Sequence, residues 1–393
     1  MNIAVLLESN YSGGGSFSHS VNATLDLIKY SKFAKNVVIY TSQEENLKIL
    51  RKLKLPVVLF SYNLLDIILI KICNIKIIRF FFYLTGYKIS LEKTLFKSKV
   101  DLLYFPVLSD LVFCLRKINY ISTVLDLCHF QHSIFPEISK KVYQYKENLY
   151  KFSLNRSAII ITSCASLKEK ISNHYKISKS RIVLIPYMPS YLFNNSSKRN
   201  NILKTKYTNL KNIFFYPAQI WAHKNHITIL KAAKILQNKN YKINFVFSGK
   251  DRGYQNVLNE FIKKNKLTNV YFTKYLTSAE MHYFYKKCKG VIYASLLGPN
   301  NIPPLETWSY KKPLIHNNIM LDDVPKNTAI TINIKDPKEL SLAIIKIIKN
   351  KYNKKIIANG TFELKKRKNL NKLSYSVLDR NIDNLKFQKK LKN

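Results

Sequence analysis

The chain has 393 residues, 47% hydrophobic and 13% aromatic, which is too long for one ordinary core and too apolar for disorder, so two packed domains are expected. Its 65 Lys and Arg against 23 Asp and Glu give a formal charge of +42, a field that attracts polyanions or anionic membrane surfaces but does not specify fold. The excess runs along the whole chain beside abundant Ile and Asn, a pattern that AT-biased codon usage also produces. The five cysteines (Cys73, Cys114, Cys128, Cys164, Cys288) are odd in number and form no C-x-x-C pair, which fits a reduced compartment.

The opening run Met1–Glu8 lacks a basic leader and breaks at Glu8, so it reads as a buried strand rather than a signal peptide. A cytoplasmic location is expected. After that strand come Gly13, Gly14 and Gly15 and then a helical pattern, an arrangement that lets backbone approach an anion at a helix N-terminus. A tight turn requires the same glycines, and the dinucleotide fingerprint G-x-G-x-x-G is missing. Short apolar runs follow at Val37–Tyr40, Val57–Phe60, Leu102–Phe105, Ser122–Leu125 and Ile159–Thr162, with helical patterns between several of them. That alternation is the mark of parallel βαβ units.

Leu64–Leu84 has nearly the length of a membrane span but carries Asp66, Lys71, Lys76 and Arg79, so it is not expected to cross a bilayer. Lys71, Asn74 and Arg79 fall along one helical stripe among Ile and Phe. Two readings stay open: a helix lying on an anionic inner membrane surface, or a surface helix with its apolar face in the core.

Beyond the polar stretch Asn194–Asn212 the strand rhythm restarts at Ile213–Tyr216, Ile243–Phe247, Val270–Phe272, Val291–Tyr293 and Pro313–Ile315. The expected fold class is therefore α/β, with two doubly wound Rossmann-like domains whose ligands sit at the carboxyl ends of the strands, facing a central cleft. After Asp336 the chain reads as helical and basic.

Three loops carry chemistry. Lys224, in Pro217–His226, sits between a strand and a helix, where its ammonium suits a diphosphate. In Ala294–Trp308, Pro303 and Pro304 start a helix, so the Asn301 and Ile302 amides would face a phosphate. Glu306, one turn in, is placed to accept from the vicinal hydroxyls of a ribose, or simply to sit favourably on the helix dipole. In the first half, Asp126 and His129 follow a strand in Thr123–Phe130, ahead of Phe135-Pro136-Glu137. There they suit contact with a sugar or proton transfer, although a packed histidine is also a reading of His129.

Together these loops resemble the family 4 retaining glycosyltransferases of the GT-B fold, group 1 type, over nearly the whole chain. Gly298-Pro299-Asn300-Asn301-Ile302-Pro303-Pro304-Leu305-Glu306 looks like a variant of that family's loop in a subgroup of bacterial members. Gly298 stands where the usual first acid would be, and Glu306 matches the ribose-holding Glu. The resemblance implies sugar transfer from a nucleoside diphosphate to a hydroxyl of a glycan or lipid-linked acceptor. It also implies retention and a role in surface polysaccharide or lipopolysaccharide synthesis.

On the same basis Asp126 and His129 are the candidate catalytic pair, with Leu125 where the family has His. Gly14, Gly15, Gln219, Lys224, Asn225, Gly249, Tyr275, Asn300, Asn301, Ile302 and Glu306 are the candidate donor contacts. Gln219 replaces the family's usual Arg. The implied domains are 1–195 for the acceptor, 196–355 for the nucleotide sugar, and a basic helical tail, 356–393, packing back on the first. No cofactor is expected, and the absence of a convincing D-x-D loop points to metal independence. Nucleic acid is not expected as a partner, because the charge comes with no reading module. A nucleic-acid-binding basic protein, and an epimerase or an inactive relative on this fold, remain the alternatives.

Overall fold

The computed structural model describes every residue except 12–13, 132–133, 195–206, 208, 299–301, 319–323 and 392–393. It divides into two compact units. The first contains Met1–Ser133, Ile138–Tyr187 and Asn369–Asn393; the second contains Ile134–Glu137 and Met188–Lys368.

The first unit is built on seven strands: β1 (Ile3–Leu6), β2 (Val38–Thr41), β3 (Val57–Leu59), β4 (Leu102–Phe105), β5 (Asn119–Thr123), β6 (Ile159–Thr162) and β7 (Ile182–Leu184). They pair in the order β3-β2-β1-β4-β5-β6-β7, and every pairing is parallel, with Val5 opposite Ile39 and Ile3 opposite Leu102. All four residues of β1 are buried, as a central parallel strand covered on both faces requires. Its helices are α1 (Gly15–Tyr30), α2 (Glu44–Lys52), α3 (Leu64–Ile72), α4 (Lys76–Leu84), α5 (Ser90–Lys97), α6 (Lys140–Arg156) and α7 (Ala165–Tyr175).

The second unit contains α8 (Tyr191–Asn194) and six parallel strands: β8 (Ile213–Pro217), β9 (Asn244–Ser248), β10 (Val270–Phe272), β11 (Gly290–Tyr293), β12 (Leu314–Asn317) and β13 (Ile330–Ile332). Their order is β10-β9-β8-β11-β12-β13. The helices are α9 (His226–Asn238), α10 (Gln255–Lys264), α11 (Ser278–Lys287), α12 (Ile302–Ser309) and α13 (Pro337–Ile348). In both sheets the winding reverses at the first strand, between β1 and β4 and between β8 and β11. Such a reversal parts the loops at the carboxyl ends and leaves a crevice. The two-sheet α/β class expected from the alternating pattern is thus present.

The last helix, α14 (Lys355–Leu391), contributes to both units. In the second unit, Gly360 lies so close to Trp308 that an added Cβ would come within 2.3 Å of the indole. In the first unit, Tyr375 donates to the Ala23 carbonyl (3.2 Å), Asn371 donates to Asp26 (3.2 Å), and the buried Asp379 accepts from the Ser31 hydroxyl (2.5 Å) and the Lys32 amide (2.9 Å).

Three details depart from the periodicity reading. Strand β5 starts at Asn119 rather than Ser122, because Asn119 already pairs with Leu102. The outer strands β7 and β13, three residues each like β3 and β10, are additional to the strands expected from the apolar runs. The segment Leu64–Leu84 is two helices, not one stripe: Asn63 and Asp66 form a capping box on α3, which ends at Cys73. As a result Arg79 turns inward while Lys71 is exposed.

Among the described residues, ten non-glycine residues have a left-handed backbone, and they are of two kinds: Lys54, Lys99, Lys176, Lys266, Lys274 and Lys311, with Asn212, Asn225, Asn240 and Asn350. Several follow helix ends, where glycine is the usual choice.

Candidate functional site

The second unit gathers its polar loops at the β8/β11 reversal. Strand β8 is wholly buried and runs into a short 3-10 turn, Ala222–Lys224, after which Asn225 takes φ 56° and opens α9. The turn is held from several directions. Tyr216 donates to the Lys224 carbonyl (2.7 Å), and the Leu296 amide donates to the His223 carbonyl (2.8 Å), joining the loops after β8 and β11. The Glu137 carboxylate accepts from the His223 amide (3.0 Å) and pairs with its ring. Burial would raise the Glu137 pKa, but these bonds hold it below its ordinary value.

This frame fixes the Lys224 ammonium. Its Nζ donates to the Tyr293 hydroxyl (3.1 Å) and the Ser295 hydroxyl (3.2 Å) and lies 5.4 Å from the Tyr293 ring centroid. Both hydroxyls are neutral oxygens, so the ammonium is oriented without being neutralised by them. A fixed cation at a strand-reversal crevice is suited to a phosphate.

Asn225 is 4% exposed, and its side chain serves the loop: it donates to the Ile334 carbonyl (3.1 Å) and accepts from the Thr228 hydroxyl (2.7 Å). Gln219 accepts from the Trp221 indole (3.1 Å) and from the Arg252 guanidinium (3.1 Å), which also lies 5.7 Å from the Trp221 ring. Sequence reasoning did not single out Arg252. It lies on the loop after β9, and nothing in its spacing connects it to Gln219; only the alignment of β8 beside β9 does. Gly249, on that loop, passes so close to the β8 loop that a Cβ would sit 2.4 Å from the Ala218 carbonyl oxygen. Its amide donates to the Lys274 carbonyl (2.9 Å), one residue before the half-buried Tyr275.

Downstream of β11, Gly298 has φ 146°, and α12 begins at the buried Ile302. Asn300 and Asn301 lie outside the described residues. Glu306 is 4% exposed and accepts from the Tyr285 hydroxyl (2.5 Å); Tyr285 stacks on Tyr310, with centroids 5.0 Å apart. Burial pushes the Glu306 carboxyl up to about 7, against the opposing pull of Tyr285 and the Ser190 amide.

The other candidates belong to the first unit. Gly14 has φ 68° and ψ −110° and precedes α1, a conformation that only glycine adopts readily, whereas a Cβ on Gly15 would meet nothing within 4 Å. Asp126 is half-buried and accepts from the Cys128 amide (2.9 Å). Burial raises its pKa, but the Lys146 charge and the Cys128 bonds outweigh it and hold the carboxyl ionised below its ordinary range.

His129 lies three residues on, with its ring turned inward. It is 1% exposed, with Nε2 at 3.0 Å from Glu147, which also accepts from Tyr175 (2.7 Å) and contacts His174 (3.0 Å). Burial holds the imidazole pKa below its ordinary value despite Glu147. Asp126 and His129 therefore share one turn but face different surroundings.

Residues 198–362 match the family model described as glycosyl transferases group 1. That segment carries a group 1 glycosyltransferase domain. Across 203 residues the chain is 25% identical to the O-antigen chain mannosyltransferase RfbU of Salmonella typhimurium, a stretch that covers 51% of this chain and 54% of RfbU. The chain thus spans about half the length of that curated relative.

Among solved structures, Anabaena Alr3699/HepE in complex with UDP-glucose aligns at a TM-score of 0.71 and 14% identity, over 97% of this chain and 100% of that one. Sucrose-phosphate synthase from Thermosynechococcus elongatus aligns at 0.69 and 13%, over 98% and 100%. At these identities they establish the fold: two Rossmann-like parallel sheets of the GT-B glycosyltransferase type.

Proposed function

We propose that this chain is a family 4 glycosyltransferase that moves a hexose from a nucleoside-diphosphate sugar to a hydroxyl of a glycan or lipid-linked acceptor, with retention, in surface polysaccharide or lipopolysaccharide synthesis. The observation that carries this reading is the Lys224 ammonium. It is held by Tyr293 and Ser295 at the β8/β11 reversal, inside the segment that matches the group 1 model. The UDP-glucose of HepE and the mannosyltransferase name of RfbU support a nucleotide-sugar donor and a hexosyl group.

In this reading, negative charge grows on the diphosphate as the glycosidic bond to the sugar breaks. Lys224 meets that charge without first having to leave a carboxylate, so little reorganisation is required at the moment of reaction. Arg252, held beside Gln219, supplies a second cation where the family carries its Arg. Glu306 takes the ribose hydroxyls once its contact with Tyr285 gives way; the sugar contacts expected of Asn300 and Asn301 fall outside the described residues. Asp126, kept ionised, is the candidate for handling the acceptor proton. His129, bound to Glu147, acts through the shape of that turn.

The mechanism as proposed uses no cofactor or metal. Among the described residues no three His, Cys, Asp or Glu side chains converge as a metal site. Turnover unchanged by a chelator is the expected result.

A thermal-shift screen against UDP, GDP, ADP and their sugars tests the reading, because a ligand that binds only the native state raises the melting temperature by mass action. One base is expected to stabilise the chain selectively, followed by transfer with the α anomer preserved by NMR. No shift with any nucleotide, or inverted product, overturns it.

A further inference from the structure

Most of the large hydrophobic side chains exposed in the first unit, among the described residues, lie between Val58 and Leu84. On α4 the exposed apolar positions are Ile77, Phe80, Phe81 and Leu84, a spacing that puts them on one stripe. Phe80 and Phe81 are 58% and 59% exposed. Leu64, Leu65, Ile67 and Ile68 continue the exposure on α3.

Asp66 and Arg79 point the other way, while Lys71 and Lys76 stay exposed. Asp66 is fully buried, where it caps α3 and accepts from the Ser90 amide (3.0 Å) and the Tyr87 hydroxyl (3.0 Å). Arg79 packs 4.2 Å from the Phe152 ring centroid and donates to the Cys73 carbonyl (2.7 Å). Cys73 and Phe82 anchor the pair in the core. A soluble surface helix has the opposite polarity, and an exposed apolar patch of this kind marks an interaction surface.

Charge selects the partner. Residues 55–100 contain seven cations and only two acids, Asp66 and Glu92, and both acids are 0% exposed. Lys71, Lys76, Lys93 and Lys97 are all exposed. Beside the first turn of α4 a surface cavity of about 830 Å³ is lined by Lys76, Arg79, Lys151 and three asparagines, and of these cations Lys151 also pairs with Glu147 (3.3 Å). A second copy of the chain would bring the same cations and another +42 against this face, and like charge opposes that pairing. Among the described residues no helix is long and apolar enough to cross a membrane.

We infer that α3 and α4 form a docking face for an anionic lipid bilayer. The apolar stripe enters the interfacial layer, the lysines meet the headgroups, and one lipid phosphate occupies the Lys76–Arg79–Lys151 cavity. This face is separate from the donor site in the second unit, so the two readings fail independently.

Flotation of the full chain with phosphatidylcholine vesicles, with and without phosphatidylglycerol, tests the docking face. The wild type is expected to float with the phosphatidylglycerol vesicles. An Ile77→Ser, Phe80→Ser, Phe81→Ser variant should lose roughly tenfold or more in partitioning, and a Lys71→Glu, Lys76→Glu variant should lose the preference for the anionic lipid. Both should keep the wild-type melting temperature and nucleotide response, since all five side chains are exposed. A wild type that does not float, or a serine variant that floats like it, overturns the proposal. So does a solution dimer that the serine changes dissolve while flotation persists.

Discussion

The first strand-to-helix loop occupies the same place in each sheet, yet the two loops are made differently. After β1 the chain turns through Gly14 at φ 68°, with open space over Gly15; any anion there would meet backbone amides. After β8 the turn is tied down by Tyr216, Asn225 and Leu296, and it presents the side-chain charge of Lys224. The difference shows two ways to prepare a site for an anion: leave the backbone accessible, or fix a cation in place. Only the second leaves a network that can be dismantled residue by residue.

The largest expected effect is on that cation. Lys224→Ala should lower turnover by about 10²–10³-fold, the range for loss of one preorganised charge-stabilising donor, with an unchanged melting temperature. Rates within twofold of wild type would remove the charge from the argument. Next in size is Glu306. Burial raises its carboxyl to about 7, above the ordinary value of 4.5, so the native state holds the proton more tightly than the unfolded chain. Stability from this group is full below about pH 4.5 and is lost as pH rises through 7, by about 3 kcal/mol at the upper bound. Urea titrations of wild type and Glu306→Gln across that window should diverge accordingly, with the variant flatter. Parallel curves would show that the carboxyl is not perturbed.

Gly249→Ala probes how closely the β8 and β9 loops pass. With a Cβ 2.4 Å from a backbone oxygen, a loss of about 1–3 kcal/mol is expected by chemical denaturation. A neutral result would show that the loops separate easily. The smallest effects distinguish the two glycines of the first loop. Gly14→Ala should cost about 1–2 kcal/mol for its backbone conformation, whereas Gly15→Ala should leave stability within about 0.5 kcal/mol. If Gly15→Ala also weakens nucleotide binding, measured by calorimetry, the first loop is a ligand surface, as is proposed for the second. If not, its glycines serve the turn.

Much of the fold was legible because parallel strands buried on both faces are written as continuous apolar runs. Leu102–Phe105, Ile159–Thr162 and Val270–Phe272 match strands to the residue. The failures are local: β7 and β13, no shorter than β3 and β10, were not among the expected strands, and the break at Cys73–Ile75 lies inside an apolar stretch and shows only in contacts such as that of Arg79 with the Cys73 carbonyl. In the site, Lys224 was visible from its place between strand and helix. Arg252 was not, because its relation to Gln219 exists only across two adjacent strands. Nor was the inward use of Asn225 and His129 readable, since an amide or imidazole in a loop looks alike whether it faces ligand or core.

The left-handed lysines mark places where the chain has conformational energy to recover. At Lys54, Lys176 and Lys311 the backbone sits where a side chain costs about 1 kcal/mol relative to glycine. Glycine at those three turns is therefore a direct route to a more stable protein with a smaller charge.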